Sequence, residues 1–242
     1  MTRGRTALGR TAAALASLIA LAACNTSPGR PSPGSAVLAP SEIVEFGPLY
    51  SANCAGCHGR DGRGGATLGL ADPVYLAIAS EPVIRTAIAR GVPGTAMPAF
   101  SQAAGGMLTD AQIDVITRGI RAWGRPGDLN GANPPSYASA VPSDPQRGET
   151  TYGVFCASCH GSRGEGTAKG SAITNGSFLA LISDQGLRTV IITGRPDLGA
   201  PDWRGNVPGR PMSDQEVTDV VAWLASRRVR DPGQPYPNAP LP

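Results

Sequence analysis

The sequence predicts an all-α protein made of two tandem copies of one small unit, joined by a Pro-rich linker. Three observations carry that expectation. The motif Cys-x-x-Cys-His-Gly occurs twice, at Cys54 to Gly59 and at Cys156 to Gly161, 102 residues apart. Behind each copy the glycines and prolines stay in register. Gly62 and Gly64 answer to Gly164 and Gly166, then Gly91, Pro93 and Pro98 answer to Gly194, Pro196 and Pro201 at an offset of 103. The closing segments match at an offset of 104, and each joins a helix-start signal to helical apolar spacing, with no alternating strand pattern in competition. The unit is therefore duplicated, with two single-residue insertions in the second copy.

The chain opens on Arg3, Arg5 and Arg10 with no acid among them. The apolar run from Thr11 to Ala23 is too short for a membrane-spanning helix, which needs about 20 residues. A basic start, a short apolar stretch and small residues before the cut describe a secretory signal peptide over residues 1–23. Its end, Leu21-Ala22-Ala23-Cys24, resembles the bacterial lipoprotein signal, which implies a lipidated Cys24 as the first residue of the mature chain. A free exposed thiol outside the cell would otherwise be a liability. That resemblance implies more than one acyl chain, the condition for stable anchoring. Residues 24–40 then read as an extended, Pro-rich tether, and the sequence leaves open which membrane holds the anchor.

The formal charge of +3 belongs largely to the signal segment, since the chain without residues 1–23 has 18 basic against 18 acidic residues. With neither a basic face nor a recognition motif, a nucleic-acid partner is excluded. Residues 124–146 lack apolar periodicity and contain five prolines, which is linker composition. The expected boundaries are a first domain at 41–124, a linker at 125–143, a second domain at 144–230 and a Pro-rich tail at 231–242. Each unit should open with a short helix, Ser41 to Asn53 and Gln146 to Phe155, that delivers its cysteine pair. Each should close with a longer one. Thr109-x-x-Gln112 and Ser213-x-x-Glu216 are capping boxes, followed by Ile113, Ile116 and Ile120 or by Val217, Val220, Val221 and Leu224. Units of roughly 85 residues with few aromatics make marginal cores on their own, so a large buried apolar cofactor would supply what is missing.

Two cysteines three apart with a histidine directly after them form the attachment pattern for c-type haem. One turn of chain sets both thiols against the two vinyl groups of a porphyrin while the adjoining imidazole reaches the iron. Zinc would need four ligands at one site, and each motif offers three, packed too closely. A redox dithiol would not require the histidine twice. Two covalently bound haem c groups are therefore expected, on Cys54 and Cys57 and on Cys156 and Cys159, with His58 and His160 as iron ligands.

Each unit resembles a class I cytochrome c over nearly all of residues 41–230: an N-terminal helix running into the Cys-x-x-Cys-His-Gly motif, a Gly-rich loop, a middle helix, a Met-bearing loop and a C-terminal helix. The tandem arrangement is similar to dihaem members of that family. The resemblance implies a methionine before the last helix as the sixth iron ligand. In the first unit Met97, in Gly94-Thr-Ala-Met97-Pro98, fits that loop, whereas Met107 sits almost at the helix cap and lacks the following proline. The second unit departs from the pattern, because the register places Ala200 opposite Met97. Its one methionine, Met212, aligns with Leu108, just ahead of the capping box, where an apolar side chain packs on the fourth helical residue. Two readings of Met212 stand: a core residue meeting Val217, or a ligand delivered by an irregular loop. Lys169, the chain's one lysine, is a third candidate at that iron, against its reading as a surface residue in a Gly-rich loop.

Electron transfer is the expected function: two haems, no spare polar catalytic groups, and a tether that lets the globule reach redox-protein donors and acceptors. The alternative is a peroxidase-like haem enzyme using an open position on the second haem, for which Ala200 is the argument. A stable subunit of a larger respiratory or photosynthetic complex differs from a free carrier in partner lifetime more than in chemistry. The expected location is exported and lipid-anchored, facing the periplasm or cell exterior.

Overall fold

The computed structural model describes residues 38–125 and 129–229. The expected signal peptide, the lipidation site Cys24, most of the tether and the Pro-rich tail lie outside the described residues. Residues 1–42 form one unit, of which the described part holds a single 3-10 turn, Pro40–Glu42, closed by the Ala39 N–H donating to Glu42 Oε2 at 2.7 Å. Ile43 onward forms the other, and both repeats lie in it.

The repeat is visible helix by helix. The first copy holds α1 (Phe46–Asn53), α2 (Ala55–His58), α3 (Pro73–Ile78), α4 (Glu81–Arg90) and α5 (Asp110–Arg121). The second holds α6 (Pro145–Phe155), α7 (Ala157–His160), α8 (Gly176–Ala180), α9 (Asp184–Thr193) and α10 (Asp214–Ala225). Among the described residues there is no strand, only the isolated bridges Ser101–Leu108 and Arg195–Ala200. The all-α expectation holds.

Local chemistry explains where the helices start. Both capping boxes form: Thr109 and Gln112 bond reciprocally at the head of α5, and Ser213 and Glu216 at the head of α10. Asp72 caps α3 and Asn175 caps α8 at matching positions, each accepting from two backbone N–H groups of the first turn. Asp144 caps α6, with Pro145 at its first position. The helix expected from Ser41 starts instead at Phe46. Glu45 is extended and its side chain makes no cap, while Gln112 Nε2 donates to the Ile43 carbonyl at 2.9 Å and holds that stretch across α5.

Each repeat has its own core. Leu49, Tyr50, Leu76, Ile84, Ile88, Leu108, Ile113, Ile116 and Ile120 cluster in the first. Tyr152, Phe155, Leu179, Leu187, Ile192, Met212, Val217, Val220 and Leu224 cluster in the second, joined by Trp203 and Trp223. Every apolar position expected on the closing helices is buried.

The first and last helices of each repeat meet at a glycine, but on opposite partners. On α5, a Cβ at Gly119 would fall 2.0 Å from the Phe46 ring of α1. On α6, a Cβ at Gly148 would fall 2.0 Å from the Asp219 carbonyl oxygen of α10 and 2.8 Å from Trp223 Cβ. Phe46 is in register with Gly148 and Gly119 with Trp223, so the large and small residues have changed places between repeats.

The linker is strapped down along the second repeat. Ser136 bonds Asp214 through both its N–H and its hydroxyl, Ser139 meets Thr218 at 2.8 Å, and the Asp144 N–H donates to Asp219 Oδ1 at 2.8 Å. At the centre is Arg188 of α9, only 3% exposed. Its guanidinium donates to the Ser136 and Tyr137 carbonyls, to Thr218 Oγ1 and to Asp214. A buried guanidinium needs this many acceptors, and the linker backbone supplies two of them. The repeats also touch directly: Val74 of α3 packs into the second core, and Arg195 donates to the Gly65 carbonyl at 2.8 Å.

Candidate functional site

Both Cys-x-x-Cys-His motifs fold alike. Cys54 breaks the run between α1 and α2 with φ −122° and ψ −38°, and Cys156 does the same between α6 and α7 with φ −122° and ψ −31°. Each then leads a one-turn helix that ends on its histidine, whose N–H donates back to the first cysteine's carbonyl at 3.0 Å. Glycine follows because the chain must turn left-handed there, with φ 84° at Gly59 and 83° at Gly161. Tyr50 and Tyr152, four residues ahead of the first cysteine in each copy, donate their hydroxyls to the Gly59 and Gly161 carbonyls. Burial raises both phenols to about 12, so they remain donors at any physiological pH.

The cysteines are unpaired thiols, Cys54 buried, Cys156 half-buried, Cys57 and Cys159 exposed. Burial, then the neighbouring Cys57, pushes the Cys54 thiol up to about 11, and burial with Cys159 pushes Cys156 to about 12. The imidazoles are held from behind. His58 Nδ1 lies 2.8 Å from the Leu68 carbonyl and His160 Nδ1 lies 2.7 Å from the Ser171 carbonyl. A carbonyl only accepts, so Nδ1 is the donor in both rings and Nε2 is the nitrogen left for another partner. Burial also lowers the His58 pKa, against the pull of the Leu68 carbonyl, which favours the neutral ring. The Thr67 hydroxyl donates to the Cys57 carbonyl at 3.2 Å and lies 3.1 Å from His58 Nδ1; in the second repeat the Thr167 hydroxyl donates to the Cys159 carbonyl. Neither carbonyl partner has a signature in composition or spacing, and sequence reasoning missed both. The tyrosines stand in register at an offset of 102 and could have been found from the repeat.

The residues present fit a covalently held haem. Each cysteine pair sits at the head of a single helical turn whose histidine has Nε2 left for another partner, with the other nitrogen fixed by a carbonyl in the manner of metal-bound histidines. Among the described residues no three His, Cys, Asp or Glu side chains converge to hold a bare metal ion.

The loops before the closing helices share the hydrogen bond that closes each of them. In the first repeat the Val92 N–H donates to the Met97 carbonyl at 3.1 Å; in the second, the Arg195 N–H donates to the Ala200 carbonyl at 2.9 Å. Gly91 and Gly194, both at φ 66°, let the loop backbone approach where a Cβ would overlap Met97 and Pro98 or Ala200 and Pro201. Phe100 and Trp203 then accept from the N–H groups of Leu108 and Met212 at 2.7 and 2.8 Å. Met97 is half-buried, Met107 is 77% exposed and Met212 is 2% exposed in the second core. Lys169 is exposed, and its neighbour Gly170 lies against His160 Nδ1.

Comparison with known proteins agrees with this geometry. A family model for cytochrome c matches residues 145–228, and one for cytochrome c oxidase, cbb3-type, subunit III matches residues 44–119. The two matches fall one in each all-α repeat, consistent with two cytochrome c-like domains. Such domains imply covalently bound haem c. The cytochrome bc1 complex cytochrome c subunits of Mycobacterium bovis and Mycobacterium tuberculosis are each 26% identical over 193 residues, covering 76% of this chain and 64% of theirs. The chain thus spans less than two thirds of the length of these relatives. Among solved structures, the Kuenenia stuttgartiensis reducing HAO-like protein complex aligns at a TM-score of 0.43 and 20% identity, over 80% of this chain and 100% of that one.

Among the described residues no helix is long and apolar enough to cross a membrane.

Proposed function

We propose that the chain is a dihaem electron carrier, one haem c in each of the domains 41–124 and 144–230. The observation that carries the reading is the pair of imidazoles, each behind its own cysteine pair, each with Nδ1 tied to a carbonyl and Nε2 left for another partner. Cys54 and Cys57, and Cys156 and Cys159, would hold the two haems through thioethers, with His58 and Met97 as iron ligands in the first domain and His160 in the second. A bound haem supplies a one-electron couple. The chain's own residues would fix its attachment and orient each imidazole through its Nδ1 bond to a backbone carbonyl.

The electrons come from and go to redox-protein partners. The relatives' description as subunits of a bc1 complex supports a place in a larger redox assembly. Export and anchoring through Cys24 rest on the lipoprotein-like signal and would hold the domains at a membrane, facing the periplasm or cell exterior.

The test is to mature the full chain in a host that attaches c-type haem and to count haem per polypeptide from the alkaline pyridine spectrum. Two haems, both reversibly reduced, are expected, with Cys54→Ala/Cys57→Ala and Cys156→Ala/Cys159→Ala each removing one. A chain that takes up no covalent haem overturns the reading. Labelling with radioactive palmitate that is lost in Cys24→Ser tests the anchor, and co-purification of other redox subunits from membranes tests the assembly.

A further inference from the structure

The two domains differ where the sixth ligand of their iron would come from. The loop that presents Met97 in the first domain closes on itself through the Val92 N–H to Met97 carbonyl bond. The second domain keeps that loop at the same length and with the same bond, from Arg195 to Ala200, and adds the return bond from the Ala200 N–H to the Arg195 carbonyl at 3.0 Å. Ala200 therefore occupies Met97's backbone position with a side chain that has no donor atom.

No other methionine fills the gap. Met212 is the structural counterpart of Leu108, since the N–H of each donates to the carbonyl of the loop's aromatic residue, Trp203 or Phe100. Of the two residues inserted in the second copy, one falls before Gly194 and the other between Trp203 and Met212, so neither lies within the loop and Ala200 keeps its register with Met97. Met212 is packed in the core with Leu187, Ile192 and Val217. Bringing its sulfur to the iron would empty that place and leave a cavity in the core. The loop is also anchored against rearrangement: Arg195 pairs with Asp197 at 2.8 Å while donating to the Gly65 carbonyl, and Asp202 pairs with Arg204, whose guanidinium lies over the Trp203 ring. Lys169 is exposed, its backbone N–H donates to Thr167 Oγ1, and it adjoins Gly170, where an added Cβ would lie 3.0 Å from His160 Nδ1 on the side opposite Nε2. His160 is the one histidine of this domain.

We infer that the second haem lacks a methionine ligand and that its iron offers a site for a small diatomic ligand of the carbon monoxide type. This rests on the reading that each domain holds a haem, so the first measurement is haem per chain in the purified full-length protein. Fewer than two overturns that reading before any ligand is added. With two present, carbon monoxide titration of the reduced protein should engage half the haem, and the oxidised protein should show the weak near-red sulfur-to-iron band at the intensity of one methionine-ligated haem. Ala200→Met should abolish carbon monoxide binding and double the near-red band. Met212→Leu, which keeps the core filled, should leave both signals unchanged. Two near-red signals and no carbon monoxide binding in the wild type would overturn the inference, as would a Met212→Leu protein in which carbon monoxide binding rises or a near-red signal disappears.

Discussion

Gly148 of α6 and Trp223 of α10 meet at the crossing where Phe46 of α1 and Gly119 of α5 meet in the first domain, with large and small exchanged. The pairing of a glycine with an aromatic residue is kept and the contact differs in kind. A methyl at Gly119 would strike the edge of a ring, whereas a methyl at Gly148 would strike the Asp219 carbonyl. Gly119→Ala and Gly148→Ala should each destabilise their domain by about 1–3 kcal/mol. Phe46→Leu should recover part of the Gly119→Ala loss, because a side chain can be trimmed. No side-chain change at position 223 should rescue Gly148→Ala, because the obstacle is backbone. Chemical denaturation of Gly119→Ala, Gly148→Ala and Phe46→Leu, and of the Phe46→Leu/Gly119→Ala and Trp223→Leu/Gly148→Ala double mutants, gives the comparison.

Asp219 should make the second domain sensitive to acid. Burial alone would raise its carboxyl, but Arg147, the Asp144 N–H and Gln215 outweigh burial and hold it below the ordinary carboxylate range. A depressed folded pKa contributes stability that is fully present above the unfolded value, about 3.9, and is lost as the pH falls through the lower folded value. Asp219→Asn should therefore cost about 1–3 kcal/mol at neutral pH and flatten the fall in stability below pH 4. Unfolding free energies between pH 2 and pH 7 check the sign; an unchanged acid slope would refute it.

Gly170 controls the seat of the second haem. A Cβ there would lie 3.0 Å from His160 Nδ1 and 2.8 Å from the Cys159 carbonyl oxygen, displacing the imidazole from the Ser171 carbonyl. Gly170→Ala should lower haem content toward one per chain while leaving the first haem attached. Haem counting on the full chain reads this directly.

Arg188 should govern the linker. Arg188→Ala would leave the Ser136 and Tyr137 carbonyls, Asp214 and Thr218 short of a donor, a loss of about 3 kcal/mol. Limited proteolysis should then cut between residues 129 and 144 in the variant well before the wild type.

Much of this was legible from local pattern. The duplicated motif, both capping boxes and the apolar faces of α5 and α10 are short-range signals, and the structure repeats them residue for residue. The register that sets Ala200 opposite Met97 was legible too, since Gly91, Pro93 and Pro98 all have counterparts. What escaped depends on partners distant in sequence. The true start of α1 is set by Gln112 reaching back to Ile43. The carbonyls of Leu68 and Ser171 are backbone atoms that any residue could supply. Arg188 read as one arginine among many until α9, α10 and the linker closed around it. The exchanged crossing was hidden because its two sides follow different offsets, 102 for α1 and 104 for α5.

The strap along the second domain has a kinetic consequence. Two redox centres on a slack chain exchange electrons only as often as their carriers collide, so solvent viscosity sets the pace. With Ser136, Ser139 and Asp144 bonded along the second domain and Arg195 fastened to Gly65, the two haems proposed above would keep one separation. Internal electron equilibration after a flash of reductant should then follow a single exponential whose rate is the same in water and in concentrated glycerol.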